Sequence, residues 1–210
     1  MNQKRNIMPR IKVAEKIIKN NDTEKHSRGS VAYYELRPKF IYKRAHSTLQ
    51  LLNVLNDEKL KPDTSYNFIT SGDVDALSFL QLTLRTYPKL HHLLLSTWCM
   101  SSEDIVQIFE YHTKGMIENI DFYLGEIFSS SYPKENKLLI ELMNKYQCGK
   151  IAYFKNHSKI FAGITNDGLG FSIQSSANIN TNPRTENACI LTDTNSYFFY
   201  KEYFENIKSF

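Results

Sequence analysis

Between Asn67 and Gly149 the chain alternates between short apolar runs and longer stretches with helical spacing. Asn67–Thr70 reads as a short strand and Ser71–Asp73 as a turn. From Val74 to Tyr87 the apolar residues recur at a helical period, and Pro88 ends the run. Lys89–Trp98 contains HHLLLST, a buried-strand pattern, and Ser101 or Ser102 is placed to cap a helix running to about Lys114. Ile117–Ile127 reads as a strand. Pro133–Tyr146 reads as a helix with proline in its first turn and Gly149 just past its end. Strand-then-helix units in succession predict an α/β domain with a mixed, mostly parallel sheet flanked by helices on both faces.

Beyond Gly149 the period shortens. KIAYFKN, HSKIFAGIT, GLGFSIQSSAN and NACILTD are short β segments separated by turns. A last helix, about Ser196–Lys208, carries Phe199, Tyr203, Phe204 and Ile207 at roughly helical spacing, a stripe read as core packing. At the other end, residues 31–44 alternate enough for a strand pair broken near Pro38, followed by a helix from about Ser47 to Asn56. Residues 1–30 read as loosely structured, with a short amphipathic helix from about Ile11 to Lys19.

Charge adds a division that the apolar pattern does not show. Residues 1–44 hold 12 Lys/Arg against 4 Asp/Glu, whereas residues 45–210 hold 14 against 18. The expected organisation is therefore a basic N-terminal arm over 1–44 and a folded domain over 45–210. Such an arm suits a polyanion, either nucleic acid or an anionic membrane surface. A solvated, partly helical extension accounts for the charge equally well. No run of about 18 apolar residues predicts a membrane span, and the basic N-terminus lacks the apolar stretch of a secretory signal, so the expected location is the cytoplasm. Cys99, Cys148 and Cys189 are odd in number and widely spaced, which predicts reduced thiols rather than a disulfide framework or a zinc site.

The residues with chemistry to offer gather between 157 and 187. His157 and Lys159 stand two apart, as do Ser176 and Asn178, and on strands each pair would share a face. Glu186 follows a polar loop containing proline. This set suits attack on a phosphodiester. A neutral imidazole is a nucleophile near neutral pH. Lys and an Asn amide can stabilise the equatorial oxygens of a five-coordinate phosphorus, and a carboxylate can orient the ring. Lys supplies the positive charge, so no metal or other cofactor is expected. Elsewhere, His91–His92 reads as part of a strand, Ser71–Asp75 as a helix cap, Trp98 as packing, and Arg184 as either a phosphate contact or a solvated side chain.

The segment resembles the signature of the phospholipase D superfamily: H-x-K, an Asp five residues after the Lys, then G-S-x-N and a downstream Glu-Asn. Here the matching residues are His157-Ser158-Lys159, Ser175-Ser176-Ala177-Asn178 and Glu186-Asn187. The resemblance covers about residues 64–210. Two positions depart from it: the Asp falls at Ile164, with Asp167 three residues on, and the Gly is Ser175. The resemblance implies a phospholipase D-like fold and a covalent phosphohistidine. A second copy of the motif protonates the leaving oxygen, and chains with one copy, such as the family's small bacterial endonucleases, form a homodimer across the active site. By that resemblance His157 is nucleophile in one subunit and general acid in the other. Lys159 and Asn178 bind phosphoryl oxygens, and Ser176 and Glu186 orient the site, with His157 Nδ1 within reach of Glu186.

The expected function is a metal-independent phosphodiesterase, a nuclease acting on nucleic acid, with DNA ahead of RNA. The contrasting expectation, carried by Ile164 and Ser175, is a weakened or inactive phospholipase D-like module that binds nucleic acid or regulates a partner.

Overall fold

The computed structural model describes residues 39–72, 74–179 and 184–207. In chain order the elements are α1 (Lys39–Val54), β1 (Ser65–Thr70), α2 (Ala76–Thr86), β2 (Leu90–Thr97), α3 (Ser102–Thr113), β3 (Ile117–Gly125), α4 (Phe128–Ser131), α5 (Pro133–Tyr146), β4 (Ile151–Phe154), β5 (Ile160–Thr165), β6 (Gly170–Ser175), β7 (Glu186–Leu191) and α6 (Thr194–Glu205). The described residues belong to one unit that begins at Arg37. Residues 1–38 of the arm expected over 1–44 lie outside the described residues, and with them the Ile11–Lys19 helix and the strand expected at 31–38. No helix among the described residues is long and apolar enough to cross a membrane.

The helices start and stop where local chemistry directs. Asp75 caps α2 by accepting from Ser78 N, so that helix begins two residues after the expected Val74. Ser101 and Asp104 form a capping box at α3. Pro133 opens α5, and Gln147 ends it in the left-handed region at φ 52°. Gly149 follows at φ 149°, where a Cβ would stand 2.0 Å from the Ile120 carbonyl oxygen, so the chain passes β3 only because the residue has no side chain.

The expectation of strand structure over 39–44 is overturned: these residues are the first turns of α1. The reason lies in the packing. Arg44, Ser47 and Leu51 are buried at helical spacing, and Arg44 donates to Asp75 at 2.8 Å and to Asp104 at 2.6 Å. That ion-pair cluster ties α1 to the caps of α2 and α3.

The seven strands form one sheet in the order β1-β7-β6-β5-β2-β3-β4. β2, β3 and β4 are parallel neighbours, whereas β2–β5, β5–β6, β6–β7 and β7–β1 are antiparallel. The sheet is therefore mixed, not mostly parallel. The strand–helix–strand step from β1 to β2 still joins strands of one direction, but the meander β5–β6–β7 is inserted between them. Local patterning shows that three short strands follow β4. It does not show where they enter the sheet.

Alternation along β2 divides the core. Leu93 and Leu95 face the larger core with α2 and α3, while Leu94 faces a second cluster with Tyr123, Ala162, Tyr197 and Phe204 under α6. Helices thus cover both faces, as expected. Of the final aromatic stripe, only part is core: Phe204 is buried, but Phe199 and Tyr203 are 66% and 59% exposed.

Candidate active site

β1, β2, β3, β4 and β6 all end at one edge of the sheet, and β5 and β7 begin there. Ligands in open α/β sheets gather at such carboxyl ends. Every site residue expected from the sequence lies at this edge, and all but Glu186 lie off the strands. His157 and Lys159 occupy the connection before β5, and Ser176 and Asn178 lie just past the end of β6. Glu186 opens β7, opposite Thr70 at the end of β1.

The connection carrying His157 is fixed by Asn156, which the sequence reading passed over. Asn156 is buried. Its amide nitrogen donates to Ser96 Oγ at 2.9 Å and to the Tyr123 carbonyl at 2.8 Å. Its Oδ1 accepts from Ser158 N at 2.9 Å and from Ser158 Oγ at 2.6 Å. The Ser96 and Ser158 hydroxyls lie 2.6 Å apart, so Ser96 donates to Ser158 and the three side chains close a ring of hydrogen bonds. This ring joins the ends of β2 and β3 to the loop and leaves the exposed His157 ring at the surface. Trp98 lies with its ring centroid 5.5 Å from that of His157. A Cβ on Gly125 would stand 2.7 Å from Trp98 Cδ1, so the approach of Trp98 depends on glycine there.

Lys159 is buried although it carries an ammonium group. It donates to the His157 carbonyl at 2.7 Å and lies 2.9 Å from Nδ1 and 3.4 Å from Nε2 of the same ring. A ring nitrogen that accepts from an ammonium carries a lone pair, the form of imidazole able to attack phosphorus. Ser175 N donates to the Lys159 carbonyl at 3.0 Å, holding the segment to β6. Burial pushes the Lys159 ammonium below its ordinary pKa, and the opposing influences of Cys99 and Glu186 do not cancel it. Cys99, read from sequence as a reduced thiol, is buried beside this lysine. Burial raises its own pKa despite a hydrogen bond with Tyr132.

Ser176 and Glu186 are brought together: the Ser176 hydroxyl donates to Glu186 Oε2 and accepts from Asn187 N at 2.9 Å. His157 and Glu186, expected to be in contact, are not hydrogen-bonded; the Glu186 carboxylate is engaged by Ser176 instead. Asn178 places a buried Oδ1 at the site with no hydrogen-bond partner among the described residues. Arg184 is exposed.

The two departures from the signature have different structural settings. Ile164 packs against the second cluster below α6. Asp167 lies in the β5–β6 turn, where it accepts from Thr165 at the far end of β5, so it does not stand in at the site. Ser175 Oγ accepts from Ala177 N at 3.0 Å and thereby shapes the turn that delivers Ser176. His91 pairs with Glu118 at 2.9 Å on the surface. His92 lies between Tyr197, at 2.8 Å, and Asp121, at 3.2 Å. Both belong to β2 and not to the site.

No protein-family model matches the sequence, and no curated protein matches it. Solved structures do. Polyphosphate kinase from Porphyromonas gingivalis superposes with a TM-score of 0.51 at 13% identity, over 67% of this chain and 25% of that one. Phosphatidylserine synthase from Haemophilus influenzae gives 0.44 at 11%, over 69% and 38%. Yeast tyrosyl-DNA phosphodiesterase gives 0.38 at 11%, over 60% and 32%. The chain thus spans a quarter to two-fifths of the length of these proteins. They are members of the phospholipase D superfamily, and the superposition on the kinase identifies the fold of this chain as phospholipase D-like.

Proposed function

We propose that this protein is a metal-independent phosphodiesterase that hydrolyses nucleic acid through a phosphohistidine formed on His157. The observation that carries the reading is the buried ammonium of Lys159 in contact with the His157 ring, at the carboxyl edge of a phospholipase D-like sheet. An ammonium desolvated beside a nucleophile has one useful office: it stabilises negative charge that builds on the phosphoryl oxygens.

In this reading a His157 ring nitrogen forms a bond to phosphorus, and the bond from phosphorus to the leaving oxygen breaks. Lys159 turns from the His157 carbonyl to the phosphoryl oxygens, and the Asn178 amide joins it. Ser176 and Glu186 hold the adjoining turn in place. The leaving oxygen takes its proton from the imidazolium of His157 in a second copy of the chain. That ring, now neutral, removes a proton from water, whose oxygen attacks phosphorus as the phosphorus–nitrogen bond breaks. The homodimer is part of the proposal because one chain supplies one such histidine. The basic residues of 1–38 gather backbone phosphates, which gives binding that weakens steeply with salt.

A second reading, a module that binds nucleic acid without cleaving it, draws on Glu186 being engaged by Ser176 rather than His157. The two separate in one experiment: rapid acid-free quenching of the reaction with an end-labelled oligonucleotide. The phosphodiesterase traps label on the protein in an alkali-stable, acid-labile bond that His157→Ala lacks; the binding module traps none.

A further inference from the structure

α6 carries Phe199 and Tyr203 one helical turn apart, so they share a face. They are largely exposed, although large aromatic side chains are ordinarily covered. Each is braced by a neighbour at a steep angle: Tyr200 lies 5.1 Å from Phe199 at 76°, and Phe204 lies 5.2 Å from Tyr203 at 84°. Much of the surface of both rings stays open. With Phe154, Ile160, Tyr200 and Phe204 they line a cavity of about 350 Å³ that also takes in Lys155, Asn156, His157 and Ser158. The groove and the candidate nucleophile are thus continuous.

We propose that this groove is a nucleobase subsite, in which the base next to the reacting phosphate stacks on Phe199 and Tyr203. The inference rests on the phosphodiesterase reading for the position of the phosphate and adds to it the recognition of a flanking base. The volume lies in the range of small-molecule sites and accommodates a single nucleoside. The lining is mainly aromatic, with the exposed Lys155 and His157 among its polar groups, which matches a flat ring with hydrogen-bonding edges. Charge agrees: Lys155 stands on the rim, and residues 1–44 of the same chain hold 12 Lys/Arg against 4 Asp/Glu, a balance suited to a polyanion. Stacking is tolerant of sequence, so the subsite favours bases over no base and discriminates weakly among them.

The chain has one tryptophan, Trp98, and it lies beside His157, so its emission reports occupancy. The test titrates the full chain with thymidine 5′-monophosphate, deoxyribose 5-phosphate and dihexanoyl phosphatidic acid. The expected result is that the mononucleotide binds roughly 5- to 150-fold tighter than the sugar phosphate. Phe199→Leu with Tyr203→Leu, which keeps apolar surface but removes the rings, brings the two affinities together and leaves that of the sugar phosphate unchanged. Equal affinities in the unaltered chain overturn the proposal. So does a preference that survives the double substitution, or tighter binding of the phosphatidic acid that the substitution removes. None of these ligands is a nucleic-acid diester, so the titration reads the subsite whether or not the protein cleaves. Cleavage without base preference sinks the subsite alone, and base preference without cleavage sinks the phosphodiesterase reading alone.

Discussion

Lys159 holds its ammonium 2.9 Å from Nδ1 of His157 and 2.7 Å from the carbonyl oxygen of the same residue. Two residues of sequence thus fold back on themselves, and a cation sits where water is scarce. Burial disfavours that cation more than Cys99 and Glu186 favour it. Its pKa is lower in the folded chain than in the unfolded one. Between the folded value and the ordinary 10.5 the unfolded chain binds more protons, so this group makes stability rise with pH over that window.

Lys159→Met follows directly. The substitution keeps the length of the side chain and removes the charge. The melting temperature is expected to be no lower than that of the unaltered protein, and the rise in stability toward pH 10.5 that Lys159 contributes is absent from the variant, so it appears in the difference between the two. Cleavage falls by about 10²–10³ or more, the cost of removing one stabilising donor from a transition state. Thermal unfolding over a pH series with single-turnover cleavage checks both halves. A variant that is less stable but fully active contradicts the assignment.

Asn156→Ala breaks the ring with Ser96 and Ser158 and removes a donor from the Tyr123 carbonyl. Leaving buried polar groups without partners costs about 1–3 kcal/mol each, which urea denaturation measures. Because Asn156 positions the loop and does not touch the phosphate, kcat is expected to fall while KM changes little. A rise in KM alone would assign it to binding.

Arg44→Met leaves Asp75 and Asp104 buried without their cation. Removal of one partner from a buried ion pair costs about 3–5 kcal/mol, and the caps already engage these carboxylates, so the lower end is expected. Combined with Asp104→Asn, the loss is smaller than the sum of the two single effects, as a double-mutant cycle by denaturant shows.

Much of the architecture is legible in the sequence because apolar spacing is local. β2, α3, β3 and α5 begin or end within a few residues of their expected limits, fixed by Ser101, Pro133 and the run HHLLLST. What the spacing does not carry is placement. The insertion of β5–β6–β7 beside β2 depends on contacts between residues some 70 positions apart, such as Leu94 with Ala162. α1 replaces the strand expected at 39–44 because Arg44 finds two carboxylates from later elements. At the site, the spacing of His157 and Lys159 brought them to attention, but on a loop rather than a strand. Asn156 carries no sequence signal beyond being a polar residue next to a histidine. Phe199 and Tyr203 are chemically indistinguishable from core residues until the helix is docked.

The opposite face gives a pH prediction. The Tyr197 hydroxyl lies 2.8 Å from His92 Nδ1, and burial, reinforced by Glu205, Asp121 and Tyr123, raises its pKa to about 12 from 10.0. Folding thus favours the protonated phenol. The associated stability is complete below pH 10 and is lost as the pH rises toward 12. In Tyr197→Phe that part of the alkaline loss is absent. Urea midpoints at pH 9 and pH 11 decide: a drop equally steep in both proteins rules out Tyr197 as its source.

Cleavage in excess EDTA tests the central claim most directly. Fluorescent single- and double-stranded DNA and RNA are each incubated with the unaltered chain and with His157→Ala, and binding is measured in parallel. The expected result is cleavage of at least one substrate, DNA ahead of RNA, that the chelator spares and the substitution abolishes. Intact substrates throughout, with binding equal in both proteins, would contradict the phosphodiesterase reading and leave a nucleic-acid-binding module.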